Sequence, residues 1–164
     1  DGRMQPIYGH PRNALIVIDY AHTPDALEQV LMSLKNQTER KVYVVFGCGG
    51  ERDRGKRSQM GKVAEKIADS IIITDDNPRN ESASKIRRDI LAGCPDAIQI
   101  ANRDEAIEFA INQLQHSDSL LIAGKGHENL QLIGSETLPF NDAVVARNSV
   151  MRLRETILKS EAKK

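Results

Sequence analysis

Ala14-Leu15-Ile16-Val17-Ile18, running through Asp19-Tyr20-Ala21-His22 into Thr23-Pro24-Asp25, is the stretch that decides the fold. Residues 14–18 are apolar, rich in β-branched side chains and free of polar alternation, the mark of a strand buried on both faces. Thr23 is a hydroxyl N-cap, Pro24 suits the first helical position, and Asp25 places an acid in the first turn. Leu27, Val30, Leu31 and Leu34 then keep helical spacing. A buried strand feeding directly into a capped helix is half of a βαβ crossover.

The pattern recurs. Strands are predicted over 42–46, 71–73 and 120–122, with a weaker one over 97–100. Helices are predicted over 58–68, 82–91, 104–114 and 143–158. This alternation predicts an α/β, Rossmann-like fold with a mostly parallel sheet of about six strands and helices on both faces. At the edges, residues 4–8 are expected to pair antiparallel with the first buried strand through His10-Pro11-Arg12-Asn13, and residues 131–133 to form another short edge strand. Residues 159–164 read as a solvated tail.

A chain of 164 residues can bury roughly 70% of its unfolded surface, so one domain over 1–164 is expected. With 40% hydrophobic and 28% charged residues, a disordered chain or coiled coil is excluded. Lys+Arg and Asp+Glu each number 23, and zero net charge argues against a nucleic-acid partner. Cys48 and Cys94 form no CxxC pair, and no signal peptide is visible, which together predict two reduced thiols in a cytoplasmic protein. No apolar run approaches the roughly 18 residues a membrane helix requires. Asp1-Gly2-Arg3 carries no initiator Met, so a segment of something larger is expected.

In an open α/β sheet, ligands gather beyond the carboxyl ends of the strands. Polar and glycine-rich residues concentrate in five such places: 19–22, 47–57, 74–80, 102–103 and 124–128. Residues 50–57 approach a phosphate-binding P-loop, but Arg57 stands where Ser or Thr should hold magnesium, and four charged residues fill the loop. A dinucleotide fingerprint begun at Gly47 would place its third glycine at Arg52. Either a flexible cationic loop or a solvated, salt-bridged one fits what is left.

Thr74-Asp75-Asp76-Asn77-Pro78-Arg79 is more specific. Pro78 keeps Asn77 out of the helical region, and Asp76 and Asn77 can brace an abrupt turn. Arg79 would then stand on a stiffened base, suited to bidentate capture of a carboxylate or phosphate. A capped turn with a solvated Arg79 fits equally well. In Gly124-Lys125-Gly126-His127-Glu128, the glycines admit a ligand to the backbone and Glu128 suits an ammonium group. No second ligand stands at metal spacing from His127. Asp19 fits either a ribose diol or the turn before the Thr23 helix, and His22 shares that ambiguity.

These motifs in series, residues 19–25, 47–50, 76–79 and 124–128, resemble the Mur ligases of peptidoglycan synthesis over nearly the whole chain. They are most similar to the carboxy-terminal domain of the type that adds meso-diaminopimelate. The resemblance implies a three-domain enzyme of which this chain is the third. The first domain would bind UDP-MurNAc-L-Ala-D-Glu, and the central one would carry the P-loop and the Mg2+ ligands. ATP would phosphorylate the D-glutamate carboxylate, and the diaminopimelate amine would attack the acyl phosphate. By the same resemblance Arg52, Asp76, Asn77, Pro78, Arg79, Gly124 and Glu128 bind diaminopimelate, Arg3 and Asp19 meet the nucleotide, and this domain supplies no catalytic residue. Family members that use lysine lack the arginine at position 79. The alternatives are a related ligase domain for another amino acid, of the D-glutamate-adding or folylpolyglutamate type, and a stand-alone nucleotide-binding module.

Overall fold

A computed structural model describes residues 1–163. The apolar run becomes β2 (Leu15–Asp19), and Thr23 Oγ1 accepts the Ala26 N–H to cap α1 (Pro24–Gln37). β3 (Val42–Phe46), α2 (Gly55–Ile67), β4 (Ser70–Ile73), α3 (Ala83–Leu91), β5 (Ile98–Gln99), α4 (Arg103–Gln113) and β6 (Ser119–Ala123) continue the alternation. The last helix, α5, spans Asp142–Glu161. β1 (Gln5–Ile7) pairs antiparallel with β2 after a turn closed by Asn13 N–H on the His10 carbonyl. The six-stranded sheet has the order β1-β2-β6-β3-β4-β5, parallel apart from that edge.

Strand periodicity divides the core in two. Val17, Val44, Phe46, Ile73 and Leu121 pack with Leu27, Leu31, Met60 and Ile86 on the side of α1, α2 and α3. Ile16, Ile18, Val45, Leu120 and Ile122 face Ala106, Ile107, Ala146 and Val150 of α4 and α5. Side chains of successive residues leave the sheet on opposite faces, so one uninterrupted apolar strand feeds both cores.

Three elements depart from the sequence expectation. α5 runs to Glu161, three residues into the segment expected to be a solvated tail, because nothing in that segment breaks the helix. α2 begins at Gly55 rather than Ser58, because Asp53 Oδ1 accepts the Gly55 N–H and opens the helix one turn earlier. Residues 131–133 do not extend the main sheet. β7 (Leu130–Ile133) pairs antiparallel with β8 (Glu136–Pro139) across Gly134-Ser135, making a separate two-stranded ribbon. Its hydrogen-bonding edge goes instead to the loop after β4: Arg79 N–H donates to the Leu132 carbonyl and Gly134 N–H to the Arg79 carbonyl.

Candidate functional site: a cationic cleft at the strand ends

β2, β3, β4 and β6 all stop at one rim, and the loops that leave them enclose an open cleft of about 430 Å³. Tyr20, His22 and Thr23 come from the first loop, Arg52, Asp53 and Lys56 from the second, Asp76, Asn77 and Arg79 from the third, and Gly124 and Glu128 from the fourth. The fifth expected segment stays out. Asn102 caps α4, and Arg103 is turned inward with no exposed surface, bonding Asp142 through Nε and Nη2 at 2.8 Å each.

The 74–79 turn is braced from three sides. Gln131 Nε2 donates to the Asp76 carbonyl, Leu132 N–H to Asn77 Oδ1, and Gly50 N–H to the Asn77 carbonyl. Pro78 is buried beneath the crossing loop. A Cβ on Gly50 would stand 1.9 Å from the Pro78 carbonyl oxygen, so only glycine allows the approach. Arg79 adopts φ +54, a left-handed conformation that costs a non-glycine residue about 1–2 kcal/mol, and the ribbon's two backbone bonds hold it there. Arg79 Nη1 donates to the carbonyls of Gly50 (2.9 Å) and Asn77 (3.3 Å). Among the described residues, its Nε and Nη2 have no partner. The guanidinium is anchored at one corner and open along an edge.

Arg52 lines the same cleft, its Nη1 donating only to the Glu51 carbonyl. Its loop does not form a P-loop. Arg57 points away from the rim, without exposed surface, and bonds Glu81, Asp89 and the Gly49 carbonyl. Lys56, which sequence reasoning passed over, also lines the cleft and donates to the His22 carbonyl at 2.8 Å.

The acids divide the opposite wall. Asp76 is 9% exposed; burial pushes its carboxyl up, while Arg103 and Lys125 pull it down. Gly124 (φ +110) passes so close that a Cβ there would lie 2.9 Å from Asp76 Oδ2. Glu128 is less free than expected, because its Oε2 already accepts from Lys125 Nζ at 2.9 Å and Asn77 Nδ2 at 3.2 Å. Its Oε1 has no partner among the described residues. Lys125 is buried completely behind this wall, a placement the sequence did not disclose.

The two residues assigned to a nucleotide lie outside the cleft. Asp19 is 8% exposed, with Oδ2 accepting from Met4 N–H and Oδ1 from Ala21 N–H. That is the geometry of the turn-bracing alternative, and a ribose diol would have to share both occupied oxygens. Arg3 is exposed near the chain start. Cys48 and Cys94 are free, buried thiols. Among the described residues no helix is long and apolar enough to cross a membrane, and no three His, Cys, Asp or Glu residues gather to hold a metal ion.

A Rossmann-like sheet whose strand ends carry a cleft lined by Arg52, Lys56 and Arg79 on one side and Asp76 and Glu128 on the other has the shape and charge that a small zwitterionic or anionic ligand would fit. The chain belongs to the Mur ligase family, matching the model described as "Mur ligase, glutamate ligase domain" over residues 2–126. It is 56% identical over 153 residues to UDP-N-acetylmuramoyl-L-alanyl-D-glutamate–2,6-diaminopimelate ligase of Rickettsia montanensis, covering 91% of this chain and 31% of that protein. The ligase of the same name from Agrobacterium fabrum is 47% identical over 152 residues, covering 93% and 31%. A solved structure of a ligase of that name superposes with a TM-score of 0.88 at 44% identity, over 94% of this chain and 32% of that one. UDP-N-acetylmuramate-alanine ligase from Thermotoga maritima (TM-score 0.62, 21% identity, 94% and 30% covered) shares the fold. The chain thus spans under a third of the length of the relatives it matches.

Proposed function

We propose that this chain is the amino-acid-binding domain of a ligase that adds meso-diaminopimelate to UDP-MurNAc-L-Ala-D-Glu with consumption of ATP. In this reading the UDP-sugar domain and the central ATPase domain lie in the part of the relatives that the chain does not span. Activated D-glutamate arrives from those domains as an acyl phosphate, the amine held here attacks it, and phosphate leaves. The work of this chain is positioning, which for a bimolecular step can supply several kcal/mol of the barrier.

The observation that carries the proposal is the half-anchored Arg79. Diaminopimelate differs from lysine by one carboxylate, and discrimination needs a cation fixed where that group lands. Nη1 is tied to two carbonyls, and the open edge lines the same cleft as Asn77, Gly124 and Glu128. Arg52 adds a second cation, and the free Oε1 of Glu128 suits the neighbouring ammonium. Asp76 lines the cleft, while Pro78, buried under the Gly50 loop, serves only to shape the turn.

For the nucleotide, Arg3 is proposed as a contact on domain closure, and Asp19 only if each of its oxygens accepts a second hydrogen bond. One relative in fold, a folylpolyglutamate synthase/dihydrofolate synthase (TM-score 0.61, 18% identity), was solved with AMPPNP and Mn ion. By the family resemblance, Mg2+ would be held mainly by the central domain, outside this chain.

The test is Arg79→Ala in the full-length enzyme. Loss of a charge-assisted bidentate contact should cost about 1.5–3 kcal/mol, so kcat/KM for meso-diaminopimelate should fall roughly 10- to 150-fold with KM for ATP unchanged. Equal losses for both substrates, or unaltered preference over L-lysine, would overturn the assignment.

A further inference from the structure

We propose that Lys125 is a positioning residue for specificity, fixing which way the Asn77 amide faces and which oxygen Glu128 offers to the ligand. The inference rests on the reading of the cleft as an amino-acid site. Lys125 has no exposed surface, and its Nζ donates to Asn77 Oδ1 and to Glu128 Oε2, both at 2.9 Å. Asn77 Nδ2 closes a triangle by donating to the same Glu128 oxygen.

An asparagine amide can ordinarily sit either way round, since its oxygen and nitrogen are nearly the same size. Here two donors, Lys125 Nζ and Leu132 N–H, converge on Oδ1. A flipped amide would set its NH2 against both, leaving buried donors unpaired. Only one orientation survives. Its consequence is chemical: the second N–H of Nδ2 and Oε1 of Glu128 are the two groups left unspent, one donor beside one acceptor. That pair complements a carboxylate and an ammonium carried on a single carbon, the end of the ligand that Arg79 also serves. The charge matters as well, because Lys125, with Arg103, favours the charged form of the buried Asp76 carboxyl, which Glu128 and Asp142 oppose. A methionine at 125 would keep the bulk while removing the charge and both donors.

In the full-length enzyme, Lys125→Met should raise KM for meso-diaminopimelate at least about tenfold while kcat stays within about threefold and KM for ATP does not move. Lys125→Arg, which keeps the charge and can donate twice, should recover part of that loss. An unchanged KM for diaminopimelate, or ATP and diaminopimelate parameters falling together, would overturn the proposal. The unmodified enzyme supplies an independent reading should the variants fail to fold. Nitrogen-15 NMR should show the Lys125 Nζ protons and the one Asn77 Nδ2 proton bonded to Glu128 exchanging with water far more slowly than those of surface lysines and asparagines, and surface-like exchange would also overturn it. If the unmodified enzyme does not use meso-diaminopimelate at all, the amino-acid reading fails while the NMR result still judges the triangle.

Discussion

The guanidinium of Arg57 and the carboxylate of Glu81 meet edge to edge, Nη1 to Oε1 and Nη2 to Oε2 at 2.8 Å each, where Arg57 has no exposed surface. Glu81 Oε2 also takes the N–H of Glu51, and Arg57 Nη2 reaches the Gly49 carbonyl. The pair therefore ties the loop bearing Arg52 to the turn bearing Arg79.

Arg57→Met should unfasten that tie. Removing one partner of a buried ion pair costs about 3–5 kcal/mol, and the slight exposure of Glu81 places the expected loss near the lower figure. For a chain of this size that corresponds to a fall in Tm of roughly 6–12 °C. Hydrogen exchange should show the Glu51 amide losing its protection. A Tm within about 2 °C of the unaltered protein would show that the pair holds nothing.

The same tie carries a pH dependence of known sign. Bonds from Arg57, then from the Glu51 N–H, hold the Glu81 carboxyl at about 2 against an ordinary 4.5. A depressed carboxylate stabilises fully above its unfolded value and loses that contribution as pH falls through its folded one. The loop should stay fastened to about pH 4.5 and loosen between there and pH 2. A carbon-13 titration placing the Glu81 midpoint near 4.5 would contradict this.

Gly124→Ala should damage the cleft more than the fold. A side chain at φ +110 is strained by about 1–3 kcal/mol, and its Cβ would fall 2.9 Å from Asp76 Oδ2. Displacing that carboxylate should weaken meso-diaminopimelate binding at least about tenfold in calorimetric titration. Unaltered affinity would place the ligand elsewhere.

Neither thiol should react while the protein is folded. Burial pushes Cys48 up to about 12 and Cys94 up to about 11, leaving little thiolate at pH 8. A chromogenic disulfide should titrate two thiols only after denaturant is added, and labelling of the native protein would show that the loop after β3 opens.

Buried strands proved legible because burial on both faces leaves a continuous apolar run, as in Ile16–Ile18 and Val44–Phe46. The Thr23 cap marked the helix that follows, whereas Ser82 and Asn102 were not read as the caps of α3 and α4 that they are. The ribbon was harder to see. Its strands are four residues long and β8 is exposed throughout, so the apolar alternation is faint, although the two-residue Gly134-Ser135 connection is a hairpin signal. Arg52, Asn77, Arg79 and Glu128 announced themselves by lying at strand ends. Lys125 did not, since a lysine is ordinarily exposed and only the fold brings Asn77, 48 positions upstream, against its ammonium. Asp19 illustrates the converse: a carboxylate in a binding motif that the local backbone had already engaged.

The ribbon grips Arg79 through peptide groups alone, Arg79 N–H to the Leu132 carbonyl and Gly134 N–H to the Arg79 carbonyl. Main-chain bonds are indifferent to what the side chains are, so the outward faces of this appendage are at liberty to vary without disturbing the arginine's aim. An engineer could thus recut those outward faces and leave selectivity alone, provided the register and the inward Gln131, whose side chain bonds the Asp76 carbonyl, are kept.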